Sequence, residues 1–379
     1  MTAMEKNNKT LNVPHLRFPE FSGEWENKRM TDIAPLQRGF DLPTQEVEEG
    51  EYPVVYSNGI LRYHKTYKCE APGLVTGRSG SIGSFTFIGE GKYWPHNTSL
   101  WVTDFNKNHP LFIYYLYQTI NISQYASGSS VPTLNRNDVH RHSTNIPSLN
   151  EQIKIAALLE KIDKRIDTQK KIIEDLKRLK DAICNLNFTS GSSLTLGDIG
   201  YFVRGLTYSA SDVIDDTAGT AVMRSNNISN GDPVNFEELV WVNKTPNHEQ
   251  ILRDGDILIC MANGSSPLVG KASYYVDCGM YSATVGAFCG IYRSYNPLTK
   301  WLFQSKHYKK HIQRCIQGGN GAIANIYPED ILAISFNIPS GYERVLNILN
   351  SLEDKYLLEQ KLLCRYLAVK SHLLAQLFI

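Results

Sequence analysis

Apolar residues recur at alternating intervals of four and three along two stretches of the chain, residues 151–188 and 343–378. This spacing is typical of the seam of a coiled coil, and neither stretch contains glycine or proline. Each stretch is predicted to form one helix, roughly 55 Å long at about 1.5 Å per residue. The predicted seam positions are Ile155, Leu159, Ile162, Ile166, Ile173, Leu176 and Ile183 in the first stretch and Val345, Leu349, Leu352, Tyr356, Leu363, Tyr366 and Leu373 in the second.

The two stretches belong to an internal repeat. They align after a shift of 190 residues, and their polar interruptions then coincide, Gln169 with Glu359 and Lys180 with Lys370. The sequence NIPS precedes both stretches, and the segments further upstream repeat more weakly as β-rich runs followed by Gly/Ser loops. The predicted order is a domain at residues 1–149, a helix at 150–189, a domain at 190–340 and a helix at 341–379.

This order predicts an α+β protein with a pseudo-two-fold internal repeat. Two helices with matching seams can pair with each other, and the domain between them permits an antiparallel pair. The two globular domains would then lie at opposite ends of a pair of long coiled-coil helices.

The repeated segments resemble a known family. The chain reads GSSVPTLNRNDV at residues 128–139, NIPSLNEQIKIAALLEKID at residues 145–163, and then a long helix. This resembles the specificity subunit of a type I restriction–modification enzyme, over nearly the full chain. The second copy departs from the pattern, with Glu343 and Arg344 where the first has Glu-Gln.

The resemblance implies a division of labour. The two domains would be target-recognition domains, each reading one half of a split, asymmetric site in double-stranded DNA. The helices would set the spacing and dock two modification subunits, which bind S-adenosylmethionine and methylate adenine N6. Restriction subunits that use ATP and magnesium would join them. This chain would then carry no cofactor, metal or catalytic residue.

Composition and candidate chemistry agree with a chain that catalyses nothing. A net charge of +1 gives no global sign of nucleic acid, although local patches can still bind it. Asp232-Pro233-Val234 does not fit the loop that holds the target amine of an amino methyltransferase. Gly264 and Gly270 are separated by five residues, where a phosphate-binding loop has four.

Seven cysteines without a C-x-x-C pair are interpreted as buried free thiols of a reducing cytoplasm. No apolar stretch is long enough for a membrane span.

Base reading requires side chains such as Arg, Asn and Gln, and phosphate binding uses Lys, Arg and Ser on loops that allow close approach. Four Gly/Ser-rich loops and two repeated Arg-Gly pairs fit, although each taken singly is also an ordinary turn. The residues predicted to contact DNA are Arg38, Arg62, Lys65, Arg78, Ser79, Ser81, Tyr125, Ser127, Ser129, Ser130, Thr133 and Asn135 in the first domain and Arg204, Asn263, Ser265, Ser266, Gln317, Asn320 and Asn325 in the second.

Two other classes of protein stay open at this point. One is an adaptor with two interaction domains on a coiled coil, unrelated to DNA. The other is a nuclease fused to recognition domains, against which the lack of a carboxylate–lysine or metal-ligand set argues. A stripe beside the seam, including Ile172, Leu179 and Leu186, widens the apolar face beyond what a helix pair needs. It would pack against the protein's own globular domains or against a modification subunit.

Overall fold

A computed structural model describes residues 12–128, 132–188, 191–318 and 323–379, apart from the side chain of Asn187. The chain divides into two compact units. Unit 1 comprises the residues up to Lys170 together with Lys361–Ile379, and unit 2 comprises Lys171–Gln360. Each long helix therefore contributes one part to each unit.

The elements of unit 1 that precede the first long helix are mostly short. The strands are β1 (Glu26–Arg29), β2 (Leu36–Arg38), β3 (Tyr52–Tyr56), β4 (Gly59–His64), β5 (Cys69–Glu70), β6 (Gly73–Gly77), β7 (Phe85–Ile88), β8 (Lys92–Pro95), β9 (Ser99–Val102), β10 (Ala126–Ser127), β11 (Thr133–Leu134) and β12 (Ser143–Ile146). The helices are α1 (Met30–Ile33), α2 (Pro110–Thr119) and α3 (Arg136–Arg141), followed by the long helix α4 (Leu149–Asn187).

The elements of unit 2 that precede the second long helix are also mostly short. The strands are β13 (Ser192–Thr195), β14 (Gly200–Arg204), β15 (Val213–Ile214), β16 (Thr220–Met223), β17 (Val240–Val242), β18 (Ile257–Cys260), β19 (Ala262–Asn263), β20 (Ala272–Tyr274), β21 (Ala283–Val285), β22 (Cys289–Ser294), β23 (Ala324–Asn325) and β24 (Ser335–Ile338). The helices are α5 (Leu196–Ile199), α6 (Thr299–Gln304), α7 (Lys306–Cys315), α8 (Pro328–Leu332) and the long helix α9 (Tyr342–Leu377).

One sheet has the same strand order in both units, and a second sheet shares three strands, β4-β3-β8 and β17-β16-β21, while its fourth strand lies at opposite edges, β5 beside β8 and β15 beside β17. Among the described residues, unit 1 has two four-stranded sheets, β2-β9-β6-β7 and β4-β3-β8-β5. Unit 2 has β14-β22-β18-β20 and β15-β17-β16-β21. One pair is parallel in each unit, β3 with β8 and β16 with β21. The central strands β6 and β18 are fully buried, as their apolar sequences predict.

The repeated NIPS sequence has the same place in both units. Its first two residues end strands β12 and β24. β12 pairs with β1, and β24 pairs with β13, so each copy returns the chain to the beginning of its own domain. A long helix follows immediately in both cases.

The two long helices predicted from the apolar spacing are present, with 39 residues in α4 and 36 in α9. In unit 1, Ile155 and Leu159 of α4 share one core with Leu377 at the end of α9. In unit 2, Cys184 of α4 shares a core with Leu349 near the start of α9. Within each unit, the early part of one helix therefore meets the late part of the other.

The beginning of α4 is fixed to unit 1 by the Glu-Gln pair of the repeated motif. Arg17 donates two hydrogen bonds of 2.8 Å to the buried carboxylate of Glu151, and this interaction raises the pKa of the guanidinium. Gln152 accepts from the backbone N–H of His109 at 2.9 Å. The corresponding residues of α9, Glu343 and Arg344, are exposed, so this contact is not repeated in unit 2.

The prediction that all cysteines are buried is wrong. Cys69, Cys184, Cys260 and Cys289 are buried, but Cys315 is half-buried and Cys278 and Cys364 are exposed. All seven are free thiols.

Candidate nucleic-acid interface

In unit 1, the loop after β6 is held against two neighbours. The backbone N–H of Arg78 donates to Thr98 at 2.9 Å, and its carbonyl accepts from Leu134 at 2.7 Å. Ser79 forms a bridge with Thr133. A side chain at Gly77 would collide with the carbonyl of Ser81, at 2.2 Å, so only glycine permits this tight loop.

These contacts border an open cavity of about 630 Å³. Three arginines line it, Arg38, Arg78 and Arg136. The other polar side chains around them are Ser127, Thr133 and Asn135, which were predicted to contact DNA, together with Gln37 and the carboxylate of Asp41. The structure thus brings together five predicted residues, and it adds Arg136, Gln37 and Asp41. The cavity is rich in donors that suit phosphates and guanine.

Two of these side chains also have local partners. The Arg38 guanidinium lies 3.3 Å from the carboxylate of Asp41, and both groups are exposed. Asn135 caps α3 by accepting from the backbone N–H of Asn137 at 3.0 Å. Contact with DNA by Arg38 would therefore compete with an existing ion pair.

Other predicted residues of unit 1 do not line the cavity. Arg62 and Lys65 are exposed near strand β4, and Lys65 pairs with Glu48. Ser81 is exposed, and Tyr125 is half-buried with its hydroxyl 2.9 Å from His142 Nδ1. Ser129 and Ser130 lie outside the described residues.

Two histidines near α3 have structural partners. His140 Nε2 accepts from the backbone N–H of Leu36 at 2.8 Å, and His142 contacts Tyr125. Burial lowers the pKa of both imidazoles, which favours the neutral ring that can accept a hydrogen bond.

Unit 2 has its own cavity, of about 410 Å³, beside the loop after β18. Its lining differs in chemistry from that of unit 1. Phe288 and Ile323 are 64% and 54% exposed and give it an apolar rim. Its other lining side chains include Tyr208, Arg224, Ser225 and Asn263. Of these residues, Asn263 alone belongs to the predicted contacts.

Asn263 is committed to holding its loop. Its amide nitrogen donates to Ser225 Oγ at 3.2 Å, and its oxygen accepts from the backbone N–H of Ser265 at 2.8 Å. Of the two predicted serines, Ser265 is exposed and Ser266 is half-buried.

The second predicted loop of unit 2 is closed by a backbone pair. Gln317 and Asn325 exchange two hydrogen bonds of 2.9 Å, and the Gln317 side chain is exposed. Asn320 lies outside the described residues. Arg204 is exposed at the end of β14, where its carbonyl accepts from Gln250 at 3.1 Å.

Sequence reasoning missed Arg136, which lies within one of the four Gly/Ser-rich loops, and several residues of unit 2 that lie outside those loops. Arg136 stands next to Asn135 in the LNRND sequence and could have been found by the same reasoning. Tyr208, Arg224 and Phe288 reach the unit 2 cavity only because β14, β16 and β22 end or begin beside the β18 loop.

Within the described ranges, no group of three His, Cys, Asp or Glu side chains is placed to hold a metal ion. No helix there combines the length and apolar character that a membrane crossing requires.

The fold and the two cavities define an α+β protein with two units that share the strand order of one sheet, each built on parts of two long helices. Its relatives are specificity subunits of type I restriction enzymes. Residues 22–178 match the family described as the type I restriction modification DNA specificity domain. The prediction that the chain resembles such a specificity subunit is confirmed.

Individual relatives agree. The chain is 26% identical over 180 residues to the EcoprrI specificity subunit of Escherichia coli, which is 46% of this chain and 44% of that protein. It is 32% identical over 146 residues to the EcoKI specificity subunit of E. coli strain K12, which is 36% of this chain and 30% of that protein. The matched stretches thus span less than half of these curated relatives.

A solved structure shares the fold over most of the chain. It is the S subunit of a type I restriction–modification system from M. genitalium, with a TM-score of 0.62 and 16% sequence identity. The match covers 97% of this chain and 99% of that one.

Proposed function

We propose that this chain is the DNA sequence-specificity subunit of a type I restriction–modification complex. Each unit reads one half of a bipartite, asymmetric target in double-stranded DNA. The long helices pair antiparallel, carry one recognition domain at each end in a pseudo-two-fold arrangement, and set the gap between the half-sites. The adaptor alternative is not favoured, because the relatives are DNA specificity subunits.

The observation that carries this proposal is the combination of a shared sheet order with unlike cavities. A repeat that served only structure would keep its loops as faithfully as its sheets. Here one sheet matches throughout and the other in three strands. Three arginines border the unit 1 cavity, whereas a single arginine, Arg224, and the exposed Phe288 and Ile323 border that of unit 2. Two domains that read different sequences need this pattern, since base readout depends on the side chains presented.

Chemistry is assigned to partner subunits. Modification subunits would bring S-adenosylmethionine and methylate adenine, and restriction subunits would bring ATP and magnesium. Docking of a modification subunit is supported by an apolar stripe on α4, where Ile172, Leu179 and Leu186 lie seven residues apart and are all exposed. On α9, Ile348 and Val369 are also exposed. Such a face is typical of an interface with another chain.

The experiment is methylation mapping. The chain is co-expressed with the modification subunit of its system in a host without DNA methylation, and N6-methyladenine is mapped by long-read sequencing. A single split, asymmetric motif with one fixed gap is expected. A stable complex that methylates no motif would contradict the proposal and favour the adaptor.

A length variant tests the role of the helices. Deleting residues 167–173 and 360–366 together removes one heptad from each helix and leaves Asp163, Lys180, Glu353 and Lys370 in place. Each helix shortens by about 10 Å, so the gap should shrink by about three base pairs of 3.4 Å. The half-sites should not change.

The control exchanges exposed Lys170 and Lys171 for alanine without a change in length, and its gap should be that of the unaltered chain. An unchanged gap in the deletion variant would rule out the helices as the spacer.

A further inference from the structure

A buried lysine interrupts the apolar seam in unit 2. Lys180 Nζ of α4 donates to Glu353 Oε2 of α9 at 2.6 Å, and the side chains are 3% and 2% exposed. The same carboxylate accepts from the hydroxyl of Tyr274 on β20. The ammonium also lies 4.6 Å from the centre of the Tyr356 ring. These contacts join both long helices to a sheet of the recognition domain.

Unit 1 contains a matching arrangement with the helices exchanged. Lys370 Nζ of α9 lies 2.7 Å from Asp163 Oδ1 of α4. The hydroxyl of Tyr115 on α2 donates to Asp163 Oδ2 at 2.8 Å. We call the two sets, Lys180–Glu353–Tyr274 and Lys370–Asp163–Tyr115, the helix–domain triads.

The charged members of the triads are equivalents in the repeat, and the tyrosines are not. The shift of 190 residues takes Lys180 to Lys370 and Asp163 to Glu353. The tyrosines, in contrast, come from a helix in unit 1 and from a strand in unit 2. Both units thus keep the connection between domain and helices by different routes, which is expected where the connection itself is needed.

Both tyrosines act as fixed donors. Burial, followed by the hydrogen bond to the carboxylate, raises the pKa of Tyr115 and Tyr274 well above the usual range. Their hydroxyls therefore stay protonated and hold the carboxylates in one orientation.

A gain in stability does not explain why charged groups are placed inside the seam. Buried ion pairs lose much of their attraction to desolvation, and apolar replacements of similar volume are often neutral or stabilising. Their best-attested use is to fix register, since a seam of apolar residues repeating every seven tolerates a slide, and a buried lysine without its carboxylate does not.

From this geometry, and resting on the proposed function, we infer that the helix–domain triads are positioning sites that fix each recognition domain on the helices and so fix the gap between half-sites. Each unit also has a further connection of its own. In unit 2, Asp232 accepts from Tyr356 at 3.0 Å and lies 3.6 Å from Lys177. In unit 1, Arg17 binds Glu151 at the beginning of α4. The charged side chains of the unit 1 triad are half-buried, at 18% and 26% exposed.

The test replaces the triads by apolar side chains of similar size. One variant carries Lys370→Met, Asp163→Leu and Tyr115→Phe, and a second carries Lys180→Met, Glu353→Leu and Tyr274→Phe. Each is co-expressed with the modification subunit and its methylated motif is mapped. We expect both half-sites to be retained and the melting temperature of the complex to be unchanged or higher. A slide by one heptad is about 10 Å, so motifs about three base pairs longer and shorter should be methylated as well.

The matched control removes an exposed pair from the same helix by Glu174→Leu and Arg178→Met, which should leave the gap strict. If a triple variant fails to fold, the single changes Tyr115→Phe and Tyr274→Phe remove only the hydroxyls. They should still widen the range of gap lengths that is methylated. The inference would be overturned if the folded triple variants methylate only the motif with the original gap. Where the triple variants do not fold, the same result in both single variants would overturn it. An unaltered chain that methylates no split motif would instead overturn the proposed function.

Discussion

Unit 1 and unit 2 share the strand order of one sheet and three strands of a second, but they differ in what their cavities present. Unit 1 borders a cavity of about 630 Å³ with Arg38, Arg78 and Arg136, whereas unit 2 borders one of about 410 Å³ with Arg224 and the exposed Phe288 and Ile323. The ladders between strands determine where the loops lie. The loop side chains make few core contacts, so they are free to differ, and that freedom is what two domains with different targets need.

The cores of the two units also differ at one place in the sheet. In unit 2, Arg293 donates two hydrogen bonds to Asp256, at 2.8 and 2.6 Å, and both side chains are 2% exposed. When the paired strands of the two units are aligned on Arg38 and Arg204, Thr103 of unit 1 takes the place of Arg293, and Gly73 takes the place of Asp256. Matching topologies therefore tolerate both a buried ion pair and its absence at the same position.

The largest expected effect comes from removing the phenylalanines at the ends of the two long helices. Phe188 and Phe378 are equivalent in the repeat and are 4% and 5% exposed. Phe188 packs in the core of unit 2, and Phe378 stacks on Phe112 in unit 1 with ring centres 5.3 Å apart. Phe188→Ala and Phe378→Ala should each destabilise one unit by about 3–5 kcal/mol, because apolar burial is reduced and a cavity is left.

Hydrogen exchange of the complex with the modification subunit would measure this. Phe188→Ala should speed exchange in strands of unit 2 and Phe378→Ala in strands of unit 1. Equal acceleration of both units by either variant would contradict a chain whose two cores are stabilised separately.

Breaking the buried ion pair of unit 2 should cause a somewhat smaller loss of stability. Unit 1 has Thr103 and Gly73 in its place. Arg293→Met leaves the Asp256 carboxylate buried without its guanidinium, although the backbone N–H of Arg253 still donates to it at 2.8 Å. We expect a loss of about 3 kcal/mol, at the lower end for a broken buried pair. Denaturant unfolding of the complex would show it.

The double variant Arg293→Met with Asp256→Leu should recover most of the loss, because no buried charge is left unpaired. A double variant as unstable as the single one would mean that the packing of the arginine and its hydrogen bonds to Glu249 and Ile251, and not its pairing with Asp256, support the sheet.

The two long helices could be predicted from the sequence because their signal is local. A seam of apolar residues at four-and-three spacing specifies a helix wherever it occurs, and α4 and α9 follow the predicted stretches closely. The partners of the polar interruptions could not be predicted. Lys180 meets Glu353 only after the chain has folded back, and no local pattern records that distance.

The cavities were predictable only in part, for the same reason. Gly/Ser-rich loops identified Arg78, Ser127 and Asn263, which are close in sequence to the glycines that shape their loops. Arg224 and Phe288 stand at strand ends with no turn signal, and they meet through the pairing of strands far apart in the chain. Which residues line such a cavity therefore depends on the pairing of strands that are far apart in sequence, and not on residue type.

The smallest expected effect concerns the arginines that follow the repeated Asp-Ile sequences. Arg38 has an exposed ion pair with Asp41, whereas Arg204 forms no ion pair with the part of the chain that the structure describes. Such a surface pair contributes only about 0–1 kcal/mol to stability, so neither Arg38→Ala nor Arg204→Ala should change the melting temperature measurably. Their difference should appear in DNA binding.

Removal of a phosphate-binding guanidinium at either position should weaken binding to all sequences alike and reduce the slope of log affinity against log salt by about one. Arg204→Ala should reduce affinity more than Arg38→Ala, because Arg38 must leave Asp41 before it can bind a phosphate. Titrations of the complex with its target at several salt concentrations would measure both, with exposed Arg178→Ala on α4 as the control. If Arg38→Ala instead changes the methylated motif at one base while the salt slope stays constant, Arg38 reads a base, and the ion pair with Asp41 orients it for that role.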